Sequence, residues 1–189
     1  MESIKLNDVR NVHVAMAFFV GRIGEKFVGV LTVTKPGSAR LNLADFEWDF
    51  ASFRDKWLRK KFRSAIWTAE RQQETRDWHV HALVEMDWDF KTGFPFEAVR
   101  QRHYGAVSSE VRGLWEYLRQ GAAKSGYGRT QLLPIDERGS TRLVSYFSGR
   151  TLSGKIDGKP PPSGCGGWGR YVDEQRKRSS KQPPEGVMI

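Results

Sequence analysis

The fold is decided by one stretch, SAIWTAERQQETRDWHVHALVEMD (Ser64–Asp87), in which two runs rich in apolar residues flank a polar segment. The runs Ser64–Gln72 and Trp78–Asp87 predict two strands. The polar residues QETRD between them have a length typical of hairpin loops, so the two strands are expected to pair antiparallel. The first expectation is therefore a sheet built around an antiparallel hairpin.

The elements on either side of this hairpin predict an α+β fold. They are a strand over Phe27–Gly37, an amphipathic helix over Leu43–Phe62, helices around Phe96–Tyr104 and Ser109–Ala123, a strand over Arg129–Ile135 and a helix over Ser140–Leu152. This order indicates an antiparallel central β-sheet flanked by helices. The composition shifts to Gly, Pro and charge after Gly154, so we expect a domain over residues 1–153 and a tail over 154–189, partly ordered or disordered.

The composition indicates a basic protein. The 189 residues carry a net charge of +9, from 31 Lys and Arg against 22 Asp and Glu. Such a surface favours a polyanionic partner, although a solvated surface without a partner is also compatible with it. Cys165 is the one cysteine, which agrees with a reducing compartment. The N-terminus has no signal pattern and the longest apolar run, Val12–Val20, is too short to span a bilayer, so we expect a cytoplasmic protein without a membrane partner.

Two histidines and one carboxylate of the predicted hairpin form a candidate metal site. Residues two apart on a strand point to the same face, so His79 and His81 project side by side while Val80 faces the core. A histidine pair alone is also compatible with a structural role. Glu70 lies nine residues before His79. The hairpin brings it across from this pair, where its carboxylate can supply an oxygen ligand.

Other interpretations of the carboxylate stay open. Glu70 could instead balance Arg71 or Arg76 on the surface, and Glu74 and Asp77 are rival carboxylates in the turn. Two imidazoles and one carboxylate leave coordination positions for water or phosphate oxygens, which suits a Lewis acid acting on a phosphate. We expect Mg²⁺ or Mn²⁺ at such an open site, because structural Zn²⁺ prefers four protein ligands.

The order of these motifs resembles that of the HUH endonucleases, which comprise rolling-circle replication initiators, relaxases and single-strand transposases. The matching segments are His79–Val80–His81 for the His-hydrophobic-His motif, VLTVTKPG (Val30–Gly37) for the first motif, AERQQETRDWHVHALVEM (Ala69–Met86) for the preceding Glu, RLVSYFSGRTLSGK (Arg142–Lys155) for the nucleophile motif and GGWGR (Gly166–Arg170) for a following Trp-Gly element. The resemblance extends over most of the chain and implies an RRM-like sheet core.

The resemblance implies a sequence-specific nickase and ligase of single-stranded DNA. A tyrosine would attack a phosphodiester and form a 5′-phosphotyrosine link and a free 3′-OH, with Mg²⁺ or Mn²⁺ held by Glu70, His79 and His81. Within the family, the chain is most similar to initiators of rolling-circle replication of a phage or plasmid. Its partners would be a single-stranded origin or nick site, which can include a hairpin, and a host helicase and polymerase in a bacterial or viral host cell. A transposase or relaxase shares the same motifs.

Tyr146 is the predicted nucleophile, because it lies on a predicted helix after the late strand and close to basic residues. The other tyrosines are Tyr104, Tyr117, Tyr127 and Tyr171. Arg150 and Lys155 are predicted to favour the phenolate and to hold the phosphate. Many relatives carry Lys-Tyr three and four residues after the nucleophile, whereas this chain has Gly149 and Arg150 there. The departure indicates a single nucleophile, with Arg150 or Lys155 in the role of the usual lysine.

A second motif resembles a phosphate-binding loop but is incomplete. GRTLSGKI (Gly149–Ile156) begins like a phosphate-binding loop but has Ile156 where Ser or Thr must hold Mg²⁺. About thirty residues follow, which are too few for the α/β sheet of an NTPase. A helicase would therefore have to come from the host. Two other classes of function stay open: a non-catalytic module that binds single-stranded nucleic acid, and a metal phosphodiesterase that uses water instead of tyrosine.

Overall fold

The computed structural model describes residues 19–135 and 164–169, which form a five-stranded sheet with helices packed against it. The strands are β1 (Val28–Lys35), β2 (Ala65–Arg71), β3 (Trp78–Glu85), β4 (Thr130–Pro134) and β5 (Gly164–Trp168). They lie in the order β4-β1-β3-β2-β5, and each neighbouring pair is antiparallel. The expected α+β fold with an antiparallel central sheet is confirmed.

Helices accompany the sheet in the described residues, and the bounds of three α-helices are defined at both ends. They are α1 (Leu43–Lys56), α2 (Phe96–Arg100) and α3 (Ser109–Lys124), and short 3₁₀ turns cover Glu25–Phe27, Ser38–Arg40, Leu58–Lys60 and Tyr104–Ala106. Residues 19–23 are also helical. Across the described parts of the chain, no helix has the length and apolar character needed to cross a lipid bilayer.

Side-chain caps determine where the two long helices begin. The Asn42 side chain accepts a hydrogen bond from the backbone N–H of Asp45 at 2.9 Å, and Ser108 caps α3 in the same way. Helix α1 ends earlier than the expected Phe62, because Trp57 leaves the helical conformation with φ −124° and ψ −53°. The chain then continues as a short 3₁₀ turn.

The core lies between one face of the sheet and the helices α1 and α3. Along β3, the alternate residues Trp78 and Val80 face this core, and His79 and His81 point to the opposite face. Val80 is fully buried, as the sequence predicts. The sheet therefore separates an apolar, helix-covered face from a face that carries the candidate ligands.

Helix α1 packs its aromatic face on the sheet. Phe46 stacks on Trp78 of β3 with ring centroids 5.1 Å apart, and Phe50 meets the edge of Trp67 of β2 at 5.1 Å. Burying a phenylalanine of this kind stabilises the fold by about 1.5–3 kcal/mol. The two contacts place α1 across β2 and β3, directly behind the hairpin.

Strand β5 pairs with β2 although it lies within the segment expected to be a tail. A Cβ at Gly166 would lie 2.6 Å from Cζ2 of Trp67, so only glycine allows the strands to approach this closely. Gly169 ends the strand with φ +98°, where a Cβ would collide with Ser64 and with a backbone oxygen. The sheet thus extends beyond residue 153.

The predicted nucleophile helix and its site residues lie between residues 136 and 163, which are outside the described residues. The helix expected over Ser140–Leu152 lies outside the described residues, and so do Tyr146, Arg150 and Lys155.

Candidate metal centre

Strands β2 and β3 bring Glu70, His79 and His81 together on the face of the sheet opposite α1 and α3. Glu70 is the direct cross-strand partner of His79, and His81 follows two residues later on the same face. One ligand atom from each residue lies within 4.8 Å of the other two. Oε1 of Glu70 is 2.9 Å from Nε2 of His79 and 3.3 Å from Nε2 of His81. The predicted proximity of the three side chains is thus present in the fold.

The hairpin loop sets the register that aligns the ligands. Its ends are closed by a hydrogen bond from the N–H of Gln72 to the carbonyl of Asp77 at 2.8 Å, and Arg76 adopts φ +63° in the turn. Glu74 and Asp77, the rival carboxylates, lie in this loop, and neither belongs to the three-residue cluster. The strand position of Glu70 distinguishes it from these two carboxylates.

Arg71 does not share a face with Glu70, because adjacent strand residues point to opposite sides. Its guanidinium donates hydrogen bonds to the carbonyls of Ala39, Arg76 and Leu41, and it stacks over Trp78 at 4.3 Å from the ring centroid. Arg71 therefore ties the end of the hairpin to the loop before α1. This arrangement argues against Glu70 as a surface partner of Arg71.

A threonine on the next strand holds one imidazole. Thr32 of β1 is the cross-strand partner of His81, and its Oγ1 lies 3.1 Å from Nδ1 of His81. When Nδ1–H donates to this hydroxyl, Nε2 carries the lone pair and faces the space beside Glu70. The rings of His79 and His81 stand nearly perpendicular, at 87° with centroids 4.8 Å apart. Sequence reasoning missed Thr32, because its role becomes visible only when β1 is known to lie beside β3.

Burial lowers the pKa of one imidazole of the candidate centre. The exposed fractions of the side chains are 9% for Glu70, 12% for His79 and 24% for His81. Burial, followed by the charge of His79, lowers the pKa of His81 from 6.5 to about 3. His81 is therefore a neutral imidazole at pH 7, the form that can bind a cation. Nε2–H of His79 donates to Glu70, and this proton would have to leave before that nitrogen could bind a metal.

The three described tyrosines lie in the helical layer on the other side of the sheet. Tyr117 donates to the carbonyl of Trp57 at 3.1 Å, and Tyr127 donates to Oδ2 of Asp49 at 2.7 Å. Burial and this carboxylate raise the pKa of Tyr127. Tyr104 packs against α3 through the edge of Trp115. The geometry does not bring any of these three hydroxyls to Glu70 and the histidines.

Comparison with known proteins shows that the chain is similar to a replicon protein. The chain is 31% identical over 148 residues to the phasyl DNA replicon protein arp of Escherichia coli. The match covers 75% of this chain and 48% of that protein, so the chain spans about half the length of its relative. No protein-family model matches the chain, and no solved structure matches it significantly.

Proposed function

We propose that this chain nicks and rejoins single-stranded DNA in a reaction that depends on a divalent metal, and that it acts in DNA replication. The observation that carries the proposal is the convergence of Glu70, His79 and His81 on one sheet face, with ligand atoms within 4.8 Å of each other. Their order along the chain is that of the HUH endonucleases. The E. coli relative is named a DNA replicon protein, which supports a role in replication.

The donor set would suit a divalent ion and would leave coordination positions for water or a phosphate oxygen. Glu70 offers a carboxylate oxygen and the histidines offer two imidazole nitrogens. Mn²⁺ accepts both kinds of ligand, whereas Mg²⁺ is usually held by oxygen alone, so Mn²⁺ is the better fit of the two. A bound ion would polarise a phosphate oxygen and offset the negative charge of the transition state.

The residues of the centre prepare it for such an ion. The carboxylate of Glu70 supplies negative charge in a buried setting, where electrostatic attraction is strong. His81 is kept neutral, and Thr32 fixes the orientation of its ring.

Tyr146 is our proposed nucleophile. Its Oη would lose its proton and form a bond to phosphorus as the bond from phosphorus to the 3′ oxygen breaks, and the released 3′ oxygen would take up a proton. The phosphotyrosine retains the energy of the broken bond, so the reverse attack of the 3′-OH can rejoin the strand. Arg150 and Lys155 would hold the phosphate. The bonded hydroxyls of Tyr117 and Tyr127, together with their position across the sheet, support a nucleophile elsewhere in the chain.

The biological setting we propose is the initiation of rolling-circle replication of a phage or plasmid in the cytoplasm of its host. The net charge of +9 supports binding to DNA. In this setting a host helicase would unwind the duplex and a host polymerase would extend the free 3′-OH.

The test is a search for a covalent adduct. The protein is incubated with a random-sequence single-stranded DNA pool and Mn²⁺, and a denaturing gel is read for a protein–DNA band. We expect a band in the wild type, none in Tyr146→Phe and none in His79→Ala/His81→Ala. Tyr171→Phe and His103→Ala are matched controls that should retain the band.

Three other outcomes would contradict the proposal and would indicate a different nucleophile or a different function. Cleavage without a covalent band would indicate a phosphodiesterase that uses water. A band that is lost in Tyr171→Phe but not in Tyr146→Phe would assign the nucleophile to Tyr171. Binding without cleavage or adduct would indicate a non-catalytic binding module. Titration calorimetry with Mn²⁺ tests the centre separately, and Glu70→Gln should weaken binding by at least about tenfold.

A further inference from the structure

A groove lies between α3 and the edge strand β4, away from the metal centre. Its volume is about 560 Å³, which is in the range of small-ligand sites. Leu118, Leu132 and Leu133 contribute apolar surface to its lining. Strand β1 separates β4 from the ligand strand β3, and α3 packs on the face opposite Glu70 and the histidines. The groove is therefore a separate surface.

Two aromatic rings form one wall of the groove. Tyr104 is 52% exposed, and its ring meets Trp115 edge-on with centroids 6.0 Å apart. Trp115 is anchored from behind, because its Nε1–H donates to the carbonyl of Leu132 at 2.8 Å and Phe94 packs against its ring. The accessible ring of Tyr104 is thus supported by the anchored ring of Trp115. A nucleobase can stack on an exposed aromatic ring held in this way.

Three arginines also line the groove. Arg112, Arg119 and Arg129 line the groove together with one acid, Glu116. Arg119 pairs with Glu116 at 2.8 Å, and Arg112 donates to the carbonyl of Gly105 at 3.1 Å, next to Tyr104. Within residues 19–135 and 164–169, no hydrogen bond or ion pair engages the guanidinium of Arg129. The lining therefore has an excess of positive charge that a phosphate can use.

The backbone before Tyr104 is held in an unusual conformation. Arg102 has φ +64°, and the N–H groups of Arg102 and His103 donate to the carbonyls of Val99 and Ala98 at 3.0 and 2.8 Å. This is the pattern that ends a helix with a left-handed residue, a position where glycine is preferred. A residue with a Cβ is strained in this conformation, and here that residue is an arginine. It places a cation two residues before the exposed ring in the sequence.

We propose that this groove is a second binding site for single-stranded nucleic acid. A base stacks on Tyr104, and the neighbouring phosphates are held by Arg129 and Arg112. The choice of DNA as ligand rests on the proposed function, whereas the location of the site rests on the groove. Such a site would hold a flanking segment of the strand while the metal centre acts elsewhere on it.

An added peptide strand fits the groove less well. The outer edge of β4 would have to offer its backbone groups, but the carbonyl of Leu132 already accepts from Trp115. An acidic peptide could use the arginines but would leave the exposed ring of Tyr104 without a matching partner. The aromatic and basic character together favours a nucleic acid.

The test measures binding without catalysis. Fluorescence anisotropy in EDTA follows a fluorescein-labelled oligothymidylate of about 15 nucleotides, a length that covers one site of this kind. Tyr104→Ala should weaken binding by about tenfold. Arg129→Gln should weaken it and reduce the slope of log affinity against log salt by about 0.7. The matched controls Trp48→Ala, at a tryptophan that is 79% exposed on α1, and Arg59→Gln should bind like the wild type.

Photo-cross-linking identifies where on the protein the oligonucleotide binds and is the second measurement. An oligothymidylate substituted with 5-iodouracil should form a photo-cross-link at Tyr104, identified by peptide mass spectrometry. Wild-type affinity in both groove variants, or cross-links confined to other residues, would overturn the proposal. So would poly-glutamate binding that depends on Arg129 while oligothymidylate binding does not, because the groove would then be a peptide site. The covalent-adduct gel is independent of this assay, so failure of the metal chemistry would be distinguished from failure of the groove.

Discussion

Acid is expected to weaken the metal-free fold through His81. Burial, and then the charge of His79, lowers the pKa of this residue from 6.5 to about 3. The unfolded chain titrates the same imidazole at about 6.5. Between these values the unfolded chain binds a proton that the folded protein does not. The contribution to stability is therefore complete above pH 6.5 and is lost as the pH falls toward 3.

The size of the effect follows from the pKa difference. Each pH unit within the window corresponds to about 1.4 kcal/mol for one proton. Between pH 7 and pH 5 the full loss is about 2 kcal/mol. The His81 side chain is 24% exposed, and solvent screening reduces the expected loss to about 1–2 kcal/mol.

Urea unfolding of EDTA-treated protein at pH 7 and pH 5 measures this loss. The wild type should lose about 1–2 kcal/mol more of its unfolding free energy than His81→Gln does over the same interval. His103→Gln removes an exposed histidine and is the matched control. If His81→Gln loses as much stability as the wild type, the acid sensitivity arises elsewhere and the reasoning about His81 is refuted.

Three further predictions concern the centre and the fold. Thr32→Val removes the hydrogen bond to Nδ1 of His81 while keeping the side-chain shape, and should weaken Mn²⁺ binding by about tenfold to a hundredfold in titration calorimetry; unchanged affinity would exclude the orienting role. Gly166→Ala forces a methyl group against Trp67 and should lower the unfolding free energy by about 1–3 kcal/mol in urea; a neutral result would mean that β5 can shift. Asn42→Ala removes the cap of α1 and should cost about 1 kcal/mol in the same measurement, and a loss near zero would contradict the capping role.

The hairpin and its cluster of candidate ligands could be predicted from the sequence because both depend on local properties. A strand period of two places His79 and His81 on one face, and a short loop brings Glu70 opposite them. The contribution of Thr32 could not be predicted, because it depends on the order of strands that are distant in the chain. Non-local pairing of this kind leaves no short-range pattern in the sequence.

The glycine-rich stretch that forms β5 illustrates a second limit. Its composition is typical of a tail. Positions 166 and 169 nevertheless require glycine, because Trp67 lies too close to Gly166, and Ser64 too close to Gly169, to leave room for a side chain. Sequence patterns alone do not distinguish glycine needed for flexibility from glycine needed for close packing. The early end of α1 was also not predicted; at this point Trp57 packs against Gly121 and Tyr117 of α3, which are distant in the sequence.

The bonds of Arg71 have a consequence for the thermodynamics of ion binding. One guanidinium joins the base of the hairpin to the carbonyls of Ala39 and Leu41 and to the ring of Trp78, immediately beside His79. The ligand-bearing ends of β2 and β3 are thus ordered by folding itself. An ion entering between them would find its ligands already arranged, and little conformational entropy would be lost on binding. The free and bound forms would then differ mainly at Nε2 of His79, where the ion would replace the hydrogen bond to Glu70.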